Sequence, residues 1–114
     1  MVDSILTSIK GLVGVTPSDT NFDNEIVIHI NSALMVLQQL GVGPSTGFYI
    51  SSDEDLWNDL LVDRKDLEAV KTYIYLKVKL VFDPPQNSFL VDSIKNMITE
   101  LEFRLNAQVE GGTT

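Results

Sequence analysis

Apolar residues recur at helical spacing in the first part of the chain and predict two helices there. Residues 4–13 form the first, in which Ile5, Ile9 and Leu12 share one face, Ser4 or Asp3 caps the start and Gly14 ends it. The second opens at T-N-F-D-N-E and runs to Leu40, where Gly41 is a left-handed stop. Its predicted buried face consists of Ile26, Ile30, Ala33, Leu34, Leu37 and Leu40.

A loop and a short helix follow. Residues 41–52 contain three glycines and a proline, which exclude a helix. Ser52 or Asp53 then caps the short helix D-E-D-L-W-N-D-L-L, and we expect Trp57 to anchor it to the core.

The central helix is apolar on nearly every side. Asp63 is its predicted cap, and it ends near Phe82 or Asp83 because a double proline follows. Its apolar positions are Leu67, Val70, Tyr73, Ile74, Tyr75, Leu76, Val78, Leu80, Val81 and Phe82. Such a helix must be covered on most sides, by neighbouring helices, by a partner chain or by both.

The last predicted helix begins at Asn87 or Ser88 and ends near Asn106. Its predicted core face consists of Leu90, Ile94, Met97, Ile98, Leu101 and Leu105. Apolar side chains left over on outer faces predict contact with a partner; they are Ile28 and Met35 on the second helix and Phe89 and Phe103 on the last. The expected architecture is an all-α bundle of about five helices, a single domain over residues 1–106 with a mobile tail over 107–114.

Composition fits one small intracellular domain. The 114 residues are 44% hydrophobic and contain no cysteine, which excludes disulfides and thiolate metal sites. Neither a secretory signal nor a membrane span is predicted from the sequence.

The net charge of −8 lies entirely in residues 1–63, which hold nine acids and the single base Lys10. The acids are densest at Asp53, Glu54, Asp55, Asp59 and Asp63. Two interpretations stay open: an ordinary solubilising surface, or a surface that lies near DNA without adhering to it.

No motif supports catalysis, and no cofactor or metal is predicted. Asp19-x-Asn21-x-Asp23 resembles the start of a calcium loop, but it lacks the glycine and the glutamate that follow, so helix capping by Asn21 or Asp23 explains it better. His29 is the only histidine and has no partner residue in any nucleophile motif, which favours a structural role.

Residues 67–106, from L-E-A-V-K-T-Y-I-Y-L-K-V-K-L-V-F-D-P-P to I-K-N-M-I-T-E-L-E-F-R-L-N, resemble the head–tail connector proteins of long-tailed double-stranded DNA bacteriophages. These are also called adaptor or head-completion proteins. D-S-I-L-T-S-I-K-G-L-V-G-V and I-N-S-A-L-M-V-L-Q-Q-L-G-V-G resemble the same family, so the likeness spans most of the chain.

The resemblance implies a structural virion protein of the head–tail neck, assembled in the host cytoplasm. It implies a homo-oligomeric ring, usually of twelve copies, between the portal protein and the stopper or tail-completion protein, through which DNA passes without specific binding. In the family the C-terminal helix and tail dock on the portal, which maps onto Phe103, Arg104, Asn106, Ala107 and Val109. Candidate subunit contacts are Ile28, Met35, Phe48, Tyr49 and Phe89. Candidate channel-facing acids are Asp53, Glu54, Asp55 and Asp59.

Two other functions remain open from the sequence. One is a small intracellular helical adaptor or regulatory module that binds another protein through residues 41–52. The other is a small hydrolase that uses His29.

Overall fold

A computed structural model describes residues 4–44, 46–60 and 67–112. Within these ranges the chain forms five helices and no strand, apart from an isolated bridge between Ser4 and Leu56. The helices are α1 (Ile5–Leu12), α2 (Asp23–Gln39), α3 (Trp57–Leu60), α4 (Leu67–Phe82) and α5 (Ser88–Gly112). The predicted all-α bundle is therefore confirmed.

Helix α4 is the central element. It packs against α2 and α5 and also contacts α1, so that only Glu68, Thr72 and Val81 of its residues are exposed. Val81, one of the apolar positions expected to be covered by neighbouring helices or by a partner chain, is 58% exposed. At this end of α4 the ring of Phe22 covers Phe82 instead, edge-on at 5.4 Å between centroids.

Glycine ends both α1 and α2 in the way the sequence predicts. Gly41 has φ 88°, its N–H donates to the carbonyl of Gln38, and the N–H of Val42 donates to that of Leu37 at 2.9 Å. This pair of bonds is the Schellman arrangement, and Val42 is buried beside it. Gly14, with φ 87°, ends α1 in the same manner. Ser4 caps the start of α1, where its hydroxyl accepts from the N–H of Thr7.

The start of α2 differs from the prediction. Phe22 occupies the cap position and offers no side-chain bond, so neither Asn21 nor Asp23 caps the helix. Asp19 accepts from the N–H of Asn21 in a local turn. The carboxylate of Asp23 turns instead to Lys10, a contact that depends on the tertiary fold.

Lys10 is almost completely buried, at 3% exposure. Its ammonium lies 2.8 Å from Oδ1 of Asp23 and donates to the carbonyl of Pro17 at 3.2 Å. A buried ammonium is costly unless it is paired. These two contacts therefore fix α1, the following loop and the first turn of α2 relative to one another.

Trp57 anchors α3, as predicted. The side chain is 2% exposed, and its indole N–H donates to the hydroxyl of Ser8 at 3.1 Å. The ammonium of Lys71 lies 5.4 Å from the centroid of the Trp57 ring. The Trp57 side chain thus contacts α1 through Ser8 and α4 through Lys71. The N–H of Ile5 also donates to the carbonyl of Asp55, which ties the start of α1 to the segment before α3.

The short helix begins later than predicted. The carboxylate of Asp55 accepts from the N–H groups of Ser51 and Ser52, and the hydroxyl of Ser52 accepts from that of Glu54. These bonds stabilise a turn, and the described helix starts only at Trp57. Asp63, the predicted cap of α4, lies outside the described residues.

Helix α5 is longer and less covered than predicted. Asn87 caps it through a bond from the N–H of Phe89, as expected, but the helix runs to Gly112 rather than ending near Asn106. Ile98 and Leu105 are buried, whereas Leu90 and Met97 are 50% and 46% exposed. The wide buried face was overestimated because α5 has one main neighbour, α4, which covers a narrow stripe. The mobility of residues 107–114 stays a prediction.

Replacing Asp23 with alanine tests the buried ion pair. Asp23→Ala leaves the ammonium of Lys10 buried without its anion, and we expect a loss of about 3 kcal/mol in the free energy of unfolding. The double variant Lys10→Met with Asp23→Ala is the control, because it removes both charges and should recover much of that loss. Urea unfolding monitored by Trp57 fluorescence measures both. Equal losses in the two variants would show that the ion pair is not the cause.

Candidate interaction surfaces

Large apolar side chains are exposed on the outer faces of α2 and α5 and on the loop between α2 and α3. The most exposed are Phe89 and Phe103, both at 75%, followed by Ile28 at 63% and Tyr49 at 56%. Contiguous exposed apolar residues on a small domain are typical of surfaces that contact other proteins. We describe these surfaces by the elements that position them.

The first surface combines α2 and the loop. Asn31, on the outer side of α2, donates from its amide to the carbonyl of Ile50 at 3.0 Å and accepts from the N–H of Ile50 at 2.8 Å. Ile28 precedes Asn31 by one helical turn and Met35 follows it by one, so all three share a face. The paired bonds thus hold Tyr49, next to Ile50, beside that face. We call Ile28, Met35 and Tyr49 the α2–loop surface.

The loop itself is held against α2. Gly43 and Gly47 adopt φ values of +89° and +92°, which side-chain-bearing residues avoid. A Cβ at Gly47 would lie 3.1 Å from the amide oxygen of Gln38, so the backbone passes close to this helix. Phe48 is partly buried and packs against the core. Of the loop aromatics, Tyr49 is therefore the one offered to a partner.

The second surface is a shallow groove between α4 and α5. It is lined by Thr72, Met97, Glu100, Leu101 and Arg104. Arg104 and Glu100 form an ion pair of 2.6 Å along its rim, one turn apart on α5. Leu90, two turns before Met97, continues the apolar stripe toward the start of the helix. We call these six residues the α4–α5 groove.

The candidate portal-binding residues separate into two groups. Phe103, Arg104 and Ala107 are exposed on α5. Asn106 is half-buried, and its amide lies 3.4 Å from the carbonyl of Leu40 at the end of α2, so it already contacts the bundle. Val109 belongs to α5, but its side chain lies outside the described part of the chain.

Phe89 was grouped with Ile28, Met35, Phe48 and Tyr49 as a subunit contact, and it lies on the last helix, as predicted. It lies in the first turn of α5, fourteen residues before Phe103. At 1.5 Å per residue the two rings are separated by about 21 Å along the helix. The candidate contacts are therefore divided between Phe89 on α5 and the residues of α2 and the loop.

The acidic cluster is divided in a similar way. Asp55 accepts backbone bonds from Ser51 and Ser52, and Asp59 accepts one from the N–H of Leu56 at 3.2 Å. Asp53 and Glu54 are exposed. Half of the candidate channel-facing acids thus stabilise the turn before α3.

Metal and acid–base chemistry find little support in the geometry. Nε2 of His29 is buried without a hydrogen bond and lies 3.9 Å from the carboxylate of Glu25. Across residues 4–44, 46–60 and 67–112, acidic and histidine side chains do not gather in a group of three that could hold a metal ion. In the same ranges no helix combines the length and the apolar character needed to span a bilayer.

A polar contact that the sequence analysis missed fastens α5 to α4. The hydroxyl of Tyr73 donates to the carboxylate of Glu102 at 2.7 Å, and the tyrosine ring is completely buried. Burial, followed by the bond to Glu102 and its negative charge, raises the pKa of Tyr73 well above its usual value. The spacing of apolar residues does not predict this pair. Glu102 is a charged residue beside the predicted core stripe of α5, and its pattern is that of a solvent-exposed position.

Comparison with known protein families gives a match over most of the chain. The family model of the phage connector protein aligns with residues 5–112, which is nearly the whole chain. The chain belongs to the phage connector family. No curated protein and no solved structure matches it significantly.

Membership confirms the family resemblance found in the sequence. The connector is a bacteriophage head–tail connector, a structural component of the virion that contacts other head and tail proteins.

The Tyr73–Glu102 contact predicts a specific alkaline instability of the connector. Above pH 10.0, the ordinary pKa of tyrosine, the unfolded chain loses the phenol proton and the folded chain keeps it. The stability that this group contributes is therefore fully present below pH 10 and declines above it, by about 1.4 kcal/mol per pH unit. Tyr73→Phe should be less stable by about 1.5 kcal/mol at pH 7, because a hydrogen bond to a charged group is lost, and its stability should decline less steeply above pH 10.

Urea unfolding at a series of pH values between 7 and about 11.5 measures both effects. The matched control is Tyr49→Phe, which removes an exposed hydroxyl and should follow the unsubstituted connector. Parallel pH profiles for the connector and Tyr73→Phe would contradict the assignment.

Proposed function

We propose that this connector forms a ring between the portal and the stopper or tail-completion protein, where it extends the DNA channel and completes the head. The observation that supports the proposal most is the match of nearly the whole chain to the phage connector family. The exposed apolar residues on α2, the loop and α5 agree with it, because a monomer has no use for them.

Ring formation needs two different surfaces on each copy. A contact between unlike surfaces repeats from copy to copy, and it closes into a ring when the rotation allows. The α2–loop surface and the α4–α5 groove lie on different helices and have different shapes. They meet this requirement, whereas the regulatory adaptor considered from the sequence has no observation that favours it over the connector role.

Portal docking is assigned to the C-terminal half of α5. Phe103 and Arg104 are exposed there without forming part of the core, and Ala107 lies one turn beyond Phe103. An aromatic next to an arginine is a common anchor in protein interfaces. Asn106 is a weaker candidate because it already contacts the end of α2.

The channel wall is assigned to the exposed acids before α3. Asp53 and Glu54 face solvent in the half of the chain that carries the whole net charge of −8. Acidic side chains repel a phosphate backbone, so DNA would slide past them with little adhesion. Asp55 and Asp59 would contribute charge while holding the local turn.

The solution mass of the connector, alone and mixed with the portal protein of the same genome, tests the proposed function. We expect a small species alone and a complex containing many copies after mixing. A stable monomer or dimer that does not bind the portal would overturn the proposal and favour a regulatory adaptor.

The portal assignment predicts that Phe103→Ser weakens binding to the portal. Loss of one buried aromatic side chain removes about 1.5–3 kcal/mol, which corresponds to at least about a tenfold rise in Kd. Leu12→Ser is the control, since it removes an apolar side chain that is 53% exposed on α1, outside the candidate contacts. Binding to immobilised portal measures both, and equal losses would argue against the assignment to Phe103.

The channel assignment predicts that removing charge at Asp53 and Glu54 slows DNA movement. Asp53→Asn with Glu54→Gln leaves the bonds of Asp55 and Asp59 intact, so the fold should persist. We expect slower DNA ejection from particles that carry the double variant. The control is Asp19→Asn, which removes an acid that precedes α2 in the sequence, whereas Asp53 and Glu54 follow α2. Unchanged ejection and unchanged retention of packaged DNA would contradict a channel position.

A further inference from the structure

We propose that copies of this chain contact one another head to tail, with the α2–loop surface of one copy seated in the α4–α5 groove of the next. The inference rests on the proposed function, which requires contacts between copies, and it names the two surfaces that form them.

The spacing of exposed apolar residues matches across the two surfaces. Ile28 and Met35 are seven residues apart on α2, and Leu90 and Met97 are seven residues apart on α5. Each pair therefore spans about 10.5 Å along its helix. This equal spacing allows the two pairs to lie opposite each other when the helices pack side by side.

The exposure and size of the residues agree with such packing. The exposed fractions are 63% and 47% on α2 and 50% and 46% on α5, so each residue rests partly on its own bundle and is firmly placed. Between Ile28 and Met35 the outer face carries Ser32, a small residue that allows a close approach. Tyr49, held beside α2, would extend the contact past the edge of the groove.

Charge favours contact between unlike surfaces over contact between like ones. Glu25 lies one helical turn before Ile28, and the α2–loop surface belongs to residues 1–63, which hold nine acids and one base. Two such surfaces facing each other would bring these acids together, which is unfavourable. The groove lies in residues 64–114, which hold seven of the eight bases and no net charge, and the ion pair of Arg104 with Glu100 leaves its rim without a net negative charge. The partner of the α2–loop surface is therefore the groove of a second copy.

Cysteine cross-linking tests this arrangement directly, because the chain contains no cysteine of its own. The variant with Met35→Cys and Met97→Cys carries one thiol on each surface, and both positions are about half exposed, so the fold should tolerate them. On assemblies formed with the portal, a short bifunctional thiol reagent should link copies into a ladder that extends beyond dimers. Each single variant should give no ladder, since a copy with one thiol can be linked only once.

A second double variant, Met35→Cys with Leu12→Cys, is the matched control. Leu12 is 53% exposed on α1, outside both surfaces, and this variant should give no ladder. A ladder from the control, or dimers from Met35→Cys alone at the yield of the double variant, would overturn the inference. The inference would also be overturned if copies were not linked in assemblies whose measured mass corresponds to many copies. In that case the proposed function would stand. If no assembly with many copies forms on the portal, the proposed function and the inference both fail.

Introducing a pair of opposite charges at the proposed contact provides an independent readout. Met35→Glu should prevent assembly by placing a carboxylate in the apolar contact, with circular dichroism confirming that the bundle is intact. Adding Met97→Lys to the same chain should restore assembly, since every contact then pairs a glutamate with a lysine. Restoration by Leu12→Lys to the same extent would attribute the effect to net charge and overturn the pairing.

Discussion

The constraint on which this structure depends is that α4 is apolar on almost every side and must be covered within a domain of 114 residues. Helices α2 and α5 cover two sides of it, and α1 contributes a smaller contact. Each of these helices packs a single stripe of apolar residues against α4, because only three helices of the described part of the chain are available to cover it. Among the described residues no further helix covers the outer faces of α2 and α5, and apolar residues on them remain exposed.

Polar contacts determine how the covering helices are oriented, because apolar burial alone has no direction. Lys10 and Asp23 join α1 to the start of α2, and Tyr73 and Glu102 join α4 to α5. Asn31 fixes the loop on the outer face of α2. Each contact pairs a buried or partly buried polar group with a partner on another element, which favours one arrangement of the bundle. The same bonds therefore position the exposed residues that a partner would meet.

The sequence predicted the helices, the glycine stops at Gly14 and Gly41 and the anchor at Trp57, because these depend on local spacing and backbone conformation. It overestimated the covered face of α5, since periodicity shows the direction of an apolar face but not how many neighbours will cover it. Leu90 and Met97, which were predicted to be buried, are therefore about half exposed. Lys10 and Asn31 were missed because a lysine or an asparagine becomes buried or bonded only through residues distant in sequence. The candidate site was thus predicted in its outer apolar residues and not in the polar contacts that arrange them.

Under the proposed arrangement, the small size of each contact between copies has a physical consequence. Two pairs of apolar residues and one tyrosine form a contact well below the area of a stable complex. A net charge of −8 on every copy also keeps free copies apart. Copies that dock side by side on a portal experience a much higher effective concentration of one another. The weak contact between neighbouring copies can then form. Assembly would therefore wait for the portal, which requires Phe103 and Ala107, the docking residues outside the groove, to remain accessible while α2 and the groove join neighbouring copies.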